Sequence, residues 1–202
     1  MNTFLTSDLN GNYGNNDQYS PRALCALTSA SVRGSYAYTY SYFWDFYSYS
    51  PPTPSYSVSN KPIPDAFWKL KNLTSLDLSY SSLSSLSPLI SNLKKLQTLN
   101  LASNSIRSLP ASFSGLTELR TLNYMNNGLA SLPELITDLP NLTSLSLAYN
   151  QLSGLPNSIG NLTKLSSLTL NNNKLISLPA SIGLLSVSSM DLSVNDLGSL
   201  PS

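Results

Sequence analysis

The stretch "LSLAYNQLSGLPNSIGNL", residues 145–162, has a spacing of Leu, Asn, Pro and Ile that returns 23 residues later. Asn150 and Pro156 of this stretch reappear as Asn173 and Pro179. The same step of 23 residues separates the leucines Leu76, Leu99, Leu122, Leu145 and Leu168. Internal repetition of this length and regularity predicts an architecture of stacked repeats.

The chemistry of one repeat explains which residue types occur at its positions. Leu145 and Leu147 alternate as in a short strand with one buried face. Asn150 follows at a turn, where its amide can donate to and accept from the backbone of neighbouring coils, so the repeated asparagines predict a ladder. Pro156 suits the first position of a short helical or 3₁₀ turn, because its missing N–H is not needed there. Since one repeat cannot enclose its own apolar face, the coils must stack.

The periodicity divides the chain into two predicted domains, 1–60 and 61–202. The second contains a half repeat, five full repeats and a truncated sixth. Ser81 stands where the ladder asparagine is expected, which suits a first coil with no neighbour on one side. Tyr124 replaces a core Leu, and its hydroxyl will need a hydrogen-bond partner.

Residues 1–60 follow a different pattern, with nine of the twelve tyrosines of the chain. From Tyr36 to Tyr42 the tyrosines alternate with other residues, a period that indicates a strand or hairpin stacked on an apolar surface. Tyr/Ser-rich sequence of low charge is also compatible with disorder. The segment is therefore interpreted either as an N-terminal cap or as partly disordered, with a Pro-rich linker at 51–60.

The phrase LxxLxLxxNxLxxLPxxIxxL over residues 61–202 resembles the leucine-rich repeat family. Its 23-residue period with Leu-Pro and Ile-Gly is similar to the non-cysteine intracellular class related to the Ras-group proteins. The resemblance implies an α/β solenoid of horseshoe form. A parallel β-sheet would line its concave face, and short helical or 3₁₀ turns would lie on its convex face. It also implies a role in protein–protein recognition, as a scaffold or in signalling.

Residues between the strand leucines should form columns about 5 Å apart on the concave face. On this face only Asp77, Arg120 and Asp191 carry charge. Tyr and Arg most often dominate the energy of an interface, and the face also offers apolar and amide groups. The predicted partner-binding residues are Tyr80, Asn100, Arg120, Asn123, Met125, Ser146, Tyr149 and Thr169. The alternative is that these are solvated strand positions and the partner binds elsewhere.

The composition argues against catalysis. The chain has no histidine, the commonest general base and metal ligand, so Cys25 has no histidine to activate it. Asp77 and Asp191 lie five repeats apart, about 24 Å, against about 5–10 Å for paired carboxylates in glycosidases. No glycine-rich phosphate loop is present. We therefore expect no enzyme activity, no cofactor and no metal site, and a partner that is another protein.

Charge and cysteine content limit the kinds of partner and the cellular compartment that are expected. Only 10% of residues are charged, the net charge is +1, and no Lys/Arg run exists, so neither nucleic acid nor a membrane surface is expected as a partner. No run reaches the ~18 apolar residues of a membrane span. One cysteine and no signal-like N-terminus predict a cytoplasmic protein, with secretion as the alternative. In a secreted protein Asn72, Asn141 and Asn161 could carry glycans. The alternative is that Asn-Leu-Thr arises at the repeat boundary because Leu is fixed there and Ser, Thr and Asn fill the surface positions.

Two further functions stay open from the sequence. The chain stops at Ser202 in mid-repeat, which suits an ectodomain or fragment of a larger receptor or signalling protein. Leu192, Leu197 and Leu200 would then be partly exposed, which predicts self-association through that end. Columns of Ser and Thr could also order water and bind ice, although the columns are mixed and the array is expected to curve.

Overall fold

The computed structural model of the chain describes residues 29–31, 63, 65 and 67–199, with only the backbone described at 29–31. The described residues form seven short strands: β1 (Ser29–Ser31), β2 (Ser75–Asp77), β3 (Thr98–Asn100), β4 (Thr121–Asn123), β5 (Ser144–Ser146), β6 (Ser167–Thr169) and β7 (Ser189–Asp191). They also form six 3₁₀ helices, Phe67–Lys69, Pro88–Asn92, Ala111–Gly115, Glu134–Ile136, Asn157–Asn161 and Ala180–Leu184.

The strands pair in parallel in the order in which they occur along the chain, from β1 to β7. Leu76 lies beside Leu99, and the same register continues through β6. Each strand from β2 to β6 is followed by a 3₁₀ helix on the opposite side of the coil, so the sheet is open and the array is a solenoid. The predicted α/β solenoid, with 3₁₀ turns as its convex elements, is confirmed.

A continuous apolar core lies between the sheet and the 3₁₀ helices. Leu122 and Leu145 enter it from the strands, and Phe113, Ile136 and Ile159 enter it from the helices; all five are buried. Burying a side chain of this size contributes about 1.5–3 kcal/mol before the entropy cost. Because each coil covers the face of the next, the core runs the length of the repeat array.

The ladder of asparagines is confirmed, and Asn150 is typical of it. Its Nδ2 donates to the carbonyl of Leu147 in its own coil at 2.9 Å and to that of Tyr124 in the preceding coil at 3.0 Å. Its Oδ1 accepts from the backbone N–H groups of Asn127 and Leu129, each at 3.0 Å. One amide therefore satisfies backbone groups of two turns that lie away from water.

The sequence predicts Pro156 at the first position of a 3₁₀ turn, but in the structure it lies one residue before that position. It precedes the 3₁₀ helix Asn157–Asn161 as its N-cap, with φ −70° and ψ 153°. Its carbonyl accepts the first bond of the turn, from the N–H of Ile159 at 3.0 Å. The fixed φ of proline fits this extended cap as well as a first helical position, and the cap position needs no N–H either. In the first complete repeat Pro88 does occupy the first helical position, after the N-cap Ser87.

The interpretation of Ser81 as a mark of the first coil is wrong, because β1 pairs with β2 on the side predicted to be empty. Ser81 is buried, and its hydroxyl donates to the Ser79 carbonyl at 3.2 Å. The turn is completed from the next coil, since Asn104 Oδ1 accepts from the Ser81 N–H at 3.1 Å. The predicted Tyr36–Tyr42 strand, the 51–60 linker and Cys25 lie outside the described residues, and the division at residue 60 stays a prediction.

At the C-terminal end of the described array the packing becomes looser, as expected for Leu192 and Leu197, which are only half-buried. Met190 of β7 is also half-buried, whereas its neighbour Leu168 in β6 is buried. Leu200 lies outside the described residues. Apolar surface of the described residues is therefore open to solvent beside β7.

Tyr124 occupies a core position that is Leu in the neighbouring repeats, and it is fully buried. Its hydroxyl donates to the backbone carbonyl of Ile106 in the preceding coil at 3.0 Å, so the partner that the sequence called for is present. Burial raises the pKa of the Tyr124 hydroxyl well above its usual range. The side chain thus combines core packing with a hydrogen bond that joins two coils.

We expect Tyr124→Phe to lower the free energy of unfolding by about 1–2 kcal/mol, because the Ile106 carbonyl is left buried without its donor. The unfolded chain releases the phenolic proton near pH 10, while folded Tyr124 keeps it. The contribution of Tyr124 is therefore complete below pH 10 and falls above it by about 1.4 kcal/mol per pH unit. Urea titrations between about pH 9 and about pH 11 should show this slope in the natural chain and a smaller one in the variant. Equal slopes would contradict it.

Candidate functional site

Four of the predicted binding residues form one column on the concave face. Asn100, Asn123, Ser146 and Thr169 are the last residues of β3 to β6, and each pairs with the next in register. Neighbouring strands lie about 4.7–4.9 Å apart, so these side chains follow one another at that spacing. All four are half-buried. The predicted register of this column is confirmed, whereas its role in binding stays a prediction.

The two asparagines of this column also hold the turn that follows their strands. Asn100 Oδ1 accepts from the N–H of Ala102 at 3.1 Å, and Asn123 Oδ1 accepts from that of Met125 at 3.2 Å. At the C-terminal end of the column, Asp191 accepts from both the hydroxyl and the N–H of Ser193. These two bonds hold the pKa of Asp191 below its usual value. The column is therefore partly structural, which limits what its oxygens can offer a partner.

Arg120 and Met125 lie at opposite ends of the strand region around β4. Arg120 is exposed immediately before β4, and its carbonyl accepts from the N–H of Thr143 at 2.8 Å. Met125 follows β4 and is half-buried, at a position where neighbouring coils have the buried Ala102 and Ala148. These two predicted residues therefore lie apart, and Met125 belongs to the same column as the small residues Ala102 and Ala148.

Tyr80 and Tyr149 belong to a different column, and its backbone is left-handed. We call it the left-handed ridge; its members and their φ angles are Tyr80 (54°), Ser103 (56°), Asn126 (54°), Tyr149 (55°), Asn172 (56°) and Val194 (54°). The backbone of the ridge is fixed by bonds to the next coil. The N–H of Tyr80 donates to the carbonyl of Ala102, and that of Tyr149 donates to the carbonyl of Asn171, each at 3.0 Å.

The larger residues of the ridge do not suit its conformation. Asn tolerates a positive φ, whereas bulky or β-branched residues adopt it at a cost of roughly 1–2 kcal/mol. Tyr80, Tyr149 and Val194 nevertheless occupy the ridge, and their side chains are 53%, 55% and 69% exposed. A strained residue whose side chain is mostly in water is a candidate for a functional role, because its packing contributes little to offset the strain.

We expect Tyr149→Asn to leave the free energy of unfolding unchanged or to raise it by as much as about 1 kcal/mol. The variant replaces a strained residue with the type found at Asn126 and Asn172. Thermal unfolding followed by circular dichroism would measure the difference. A loss of more than about 1 kcal/mol would mean that the tyrosine ring stabilises the fold and is not held at the surface for binding.

The residue types of the sequence do not predict the ridge. The predicted binding residues include Tyr80 and Tyr149 of the ridge together with Met125 of a different column, and they do not include Ser103, which shares the left-handed position. The only signal in the sequence was the recurrence of Asn126 and Asn172 at the position of the tyrosines, since Asn is the residue type that best tolerates positive φ after Gly.

Within the described part of the chain, no group of three or more His, Cys, Asp or Glu side chains could hold a metal ion. No helix found there is both long and apolar enough to cross a membrane. What the concave face and the ridge do present are two exposed tyrosines, one arginine, and rows of hydroxyl and amide groups on a fixed backbone. Such a surface is suited to recognising another molecule by contact.

Comparison with known proteins agrees with this architecture. The family description "Leucine rich repeat" matches residues 72–129, and "Leucine Rich repeats (2 copies)" matches residues 117–157. No curated protein gives a significant match to the chain. Among solved structures, a leucine-rich repeat protein of Leptospira interrogans is 36% identical with a TM-score of 0.67, and the match covers 69% of this chain and 36% of that one.

Two receptor structures are similar as well. A TLR13–ssRNA13 complex is 30% identical, with a TM-score of 0.66 and coverage of 90% of this chain and 23% of that one. The LRR ectodomain of the Arabidopsis thaliana membrane receptor kinase GASSHO1/SCHENGEN3, in complex with CASPARIAN STRIP INTEGRITY FACTOR 2, is 33% identical. Its TM-score is 0.58, and the match covers 68% of this chain and 17% of that one. The chain thus spans less than half the length of each of the three proteins.

Repeats of this kind are non-enzymatic scaffolds whose general role is protein interaction, and the repeat array described above has that architecture. The period of 23 residues, the parallel sheet, the asparagine ladder and the matches over residues 72–157 agree with one another. The chain belongs to the leucine-rich repeat family.

Proposed function

We propose that the chain is a recognition module that binds another protein through its concave face and the adjoining left-handed ridge. The observation that carries the proposal is the exposure of Tyr80 and Tyr149 on strained, hydrogen-bonded backbone. Because this backbone is already fixed, binding costs little ordering entropy there. Among the described residues Arg120 supplies the one positive charge of this face, and the column from Asn100 to Thr169 supplies polar groups for directional contacts.

The intracellular class and the cytoplasmic location expected from the sequence remain part of this proposal. The matched receptor structures support the alternative of a module from a larger signalling protein, since this chain corresponds to a short part of each. Both alternatives use the same recognition surface. They differ in what lies beyond the repeat array.

The test is an affinity capture from the source cells, followed by mass spectrometry, with the natural chain and two variants. The concave variant combines Tyr80→Ala, Arg120→Ala, Met125→Ala and Tyr149→Ala. The matched control removes an arginine and two exposed apolar residues at other positions, through Arg107→Ala, Ile176→Ala and Leu184→Ala. Circular dichroism should first establish that both variants fold.

We expect a protein that is captured by the natural chain and by the control and is lost by the concave variant. Recovery of the same partner by all three proteins would move the binding site away from the concave face. Loss by the control alone would place it on the surface around Arg107, Ile176 and Leu184. Crosslinking of the captured complex would then identify the residues of the chain that lie against the partner.

A further inference from the structure

We propose, resting on the function proposed above, that Tyr80 and Tyr149 hold an extended, uncharged segment of the partner polypeptide that carries two apolar side chains four residues apart. The segment would lie along the left-handed ridge, across the strand direction. The two tyrosines, and not the strand columns, would then supply most of the binding energy.

The distance between the two tyrosines sets the spacing in the partner. Tyr80 and Tyr149 occupy the same position in coils that are three steps apart, because β2 and β5 are separated by β3 and β4. Three strand spacings correspond to about 14 Å. An extended chain rises about 3.3 Å per residue, so residues four apart are separated by about 13 Å. Helical residues four apart rise only about 6 Å, which is too short.

The ridge between the tyrosines matches the backbone of an extended chain. Ser103 and Asn126 lie there, with Asn126 Nδ2 donating to Ser103 Oγ at 3.3 Å. Together they provide a hydroxyl and an amide, which can both donate to and accept from peptide groups. An extended segment has such groups unpaired along its whole length, whereas a helix has already paired them. This favours an extended segment over a helix as the occupant.

The charge of the ridge indicates the charge of the segment. All six ridge residues, from Tyr80 to Val194, are uncharged. A charged side chain docked on the ridge would lose hydration without gaining an opposite charge. Aromatic rings such as those of Tyr80 and Tyr149 pack well against apolar side chains and proline. Residues that face the ridge are therefore expected to be apolar at the two anchor points and neutral between them.

A binding role also accounts for the presence of tyrosine at these two positions. Asn at 126 and 172 shows what the backbone conformation itself favours. Tyrosine at 80 and 149 departs from that preference in coils three steps apart, and Val194 departs from it in the last coil described. Binding of two aromatic anchor groups at a fixed distance accounts for the two tyrosines, whereas stability of the fold does not.

The experiment selects ligands from a phage-displayed library of random linear dodecapeptides against the full chain. Synthetic peptides of the selected sequences are then titrated by fluorescence anisotropy. The proteins compared are the natural chain, Tyr80→Asn, Tyr149→Asn, the double variant, and a control Ile176→Asn, which changes an exposed apolar side chain outside the ridge. Asn preserves the left-handed backbone, so a loss of affinity reports the ring itself.

We expect selected peptides to share two apolar or proline residues four apart, each Tyr→Asn change to weaken Kd about tenfold, and the double variant to weaken it about a hundredfold. Ile176→Asn should leave Kd unchanged. Equal affinity of the double variant, a different spacing, or no selected peptide would overturn the inference. If the double Tyr→Asn variant still captures the cellular partner while the fourfold concave variant loses it, the proposed function stands and the ridge inference fails.

Discussion

Replacing Asn150 with Ala is expected to lower the free energy of unfolding by about 3–5 kcal/mol. The side chain is 7% exposed and satisfies groups of two coils. Its removal leaves the N–H groups of Asn127 and Leu129 without their acceptor. The carbonyl of Tyr124 loses its donor as well. Each buried group left unpaired costs about 1–3 kcal/mol, which makes this one of the largest single-residue effects available in the array.

Urea unfolding followed by far-UV circular dichroism would measure the effect. The matched control is Asn171→Ala, because Ala102 and Ala148 already occupy the corresponding position in other coils. We expect the control to change the free energy of unfolding by less than about 0.5 kcal/mol. If Asn150→Ala costs no more than the control, water replaces the amide and the ladder contributes nothing net to stability.

The ladder and the strand register could be predicted from the sequence because both follow from residue type at a fixed step. An apolar pair with one residue between, such as Leu145 and Leu147, has few ways to bury both side chains other than a strand. An asparagine that recurs at the turn has an amide with donor and acceptor on one group, which is what a stack of turns requires. Residue type and spacing together were sufficient to predict both the asparagine ladder and the strand register.

The left-handed ridge could not be predicted, because its residue types do not share a local preference. Tyr, Ser, Asn and Val all occur there with φ near +55°. Val and Tyr favour extended backbone, so local propensity indicated the wrong conformation at three of the six positions. The backbone is imposed by hydrogen bonds to the next coil, such as Tyr149 N–H to the Asn171 carbonyl, and these depend on tertiary stacking.

Strand β1 was hidden for a related reason. Ala30 stands where β2 to β6 have leucine, so the apolar signal is weak. Ser29 also pairs with Ser75, which lies two repeat lengths away along the chain instead of one. The 23-residue period of the sequence therefore begins only at the half repeat near residue 63. The pairing adds a strand beside β2, where the sequence had indicated the edge of the sheet.

Phe113→Ala is expected to lower the free energy of unfolding by about 3–5 kcal/mol, because it leaves a cavity in the middle of the array. Phe113 is fully buried on the 3₁₀ helix Ala111–Gly115. Its carbonyl accepts from the N–H of Leu116 at 3.0 Å, so the backbone of the helix is fixed at this residue. The cavity can collapse little, because coils on both sides are fixed to this one by the sheet.

The chain supplies its own control for Phe113. Isoleucine occupies the equivalent position at Ile90, Ile136 and Ile159, so Phe113→Ile restores the commoner residue and should cost less than about 1.5 kcal/mol. Hydrogen exchange would show which strands lose protection in Phe113→Ala. Because each coil contacts only its neighbours, loss of protection in Phe113→Ala should be greatest in β3, β4 and β5 and decline toward β7. A uniform loss across all the strands would mean that the array unfolds as a single cooperative unit and that nearest-neighbour stacking does not describe its stability.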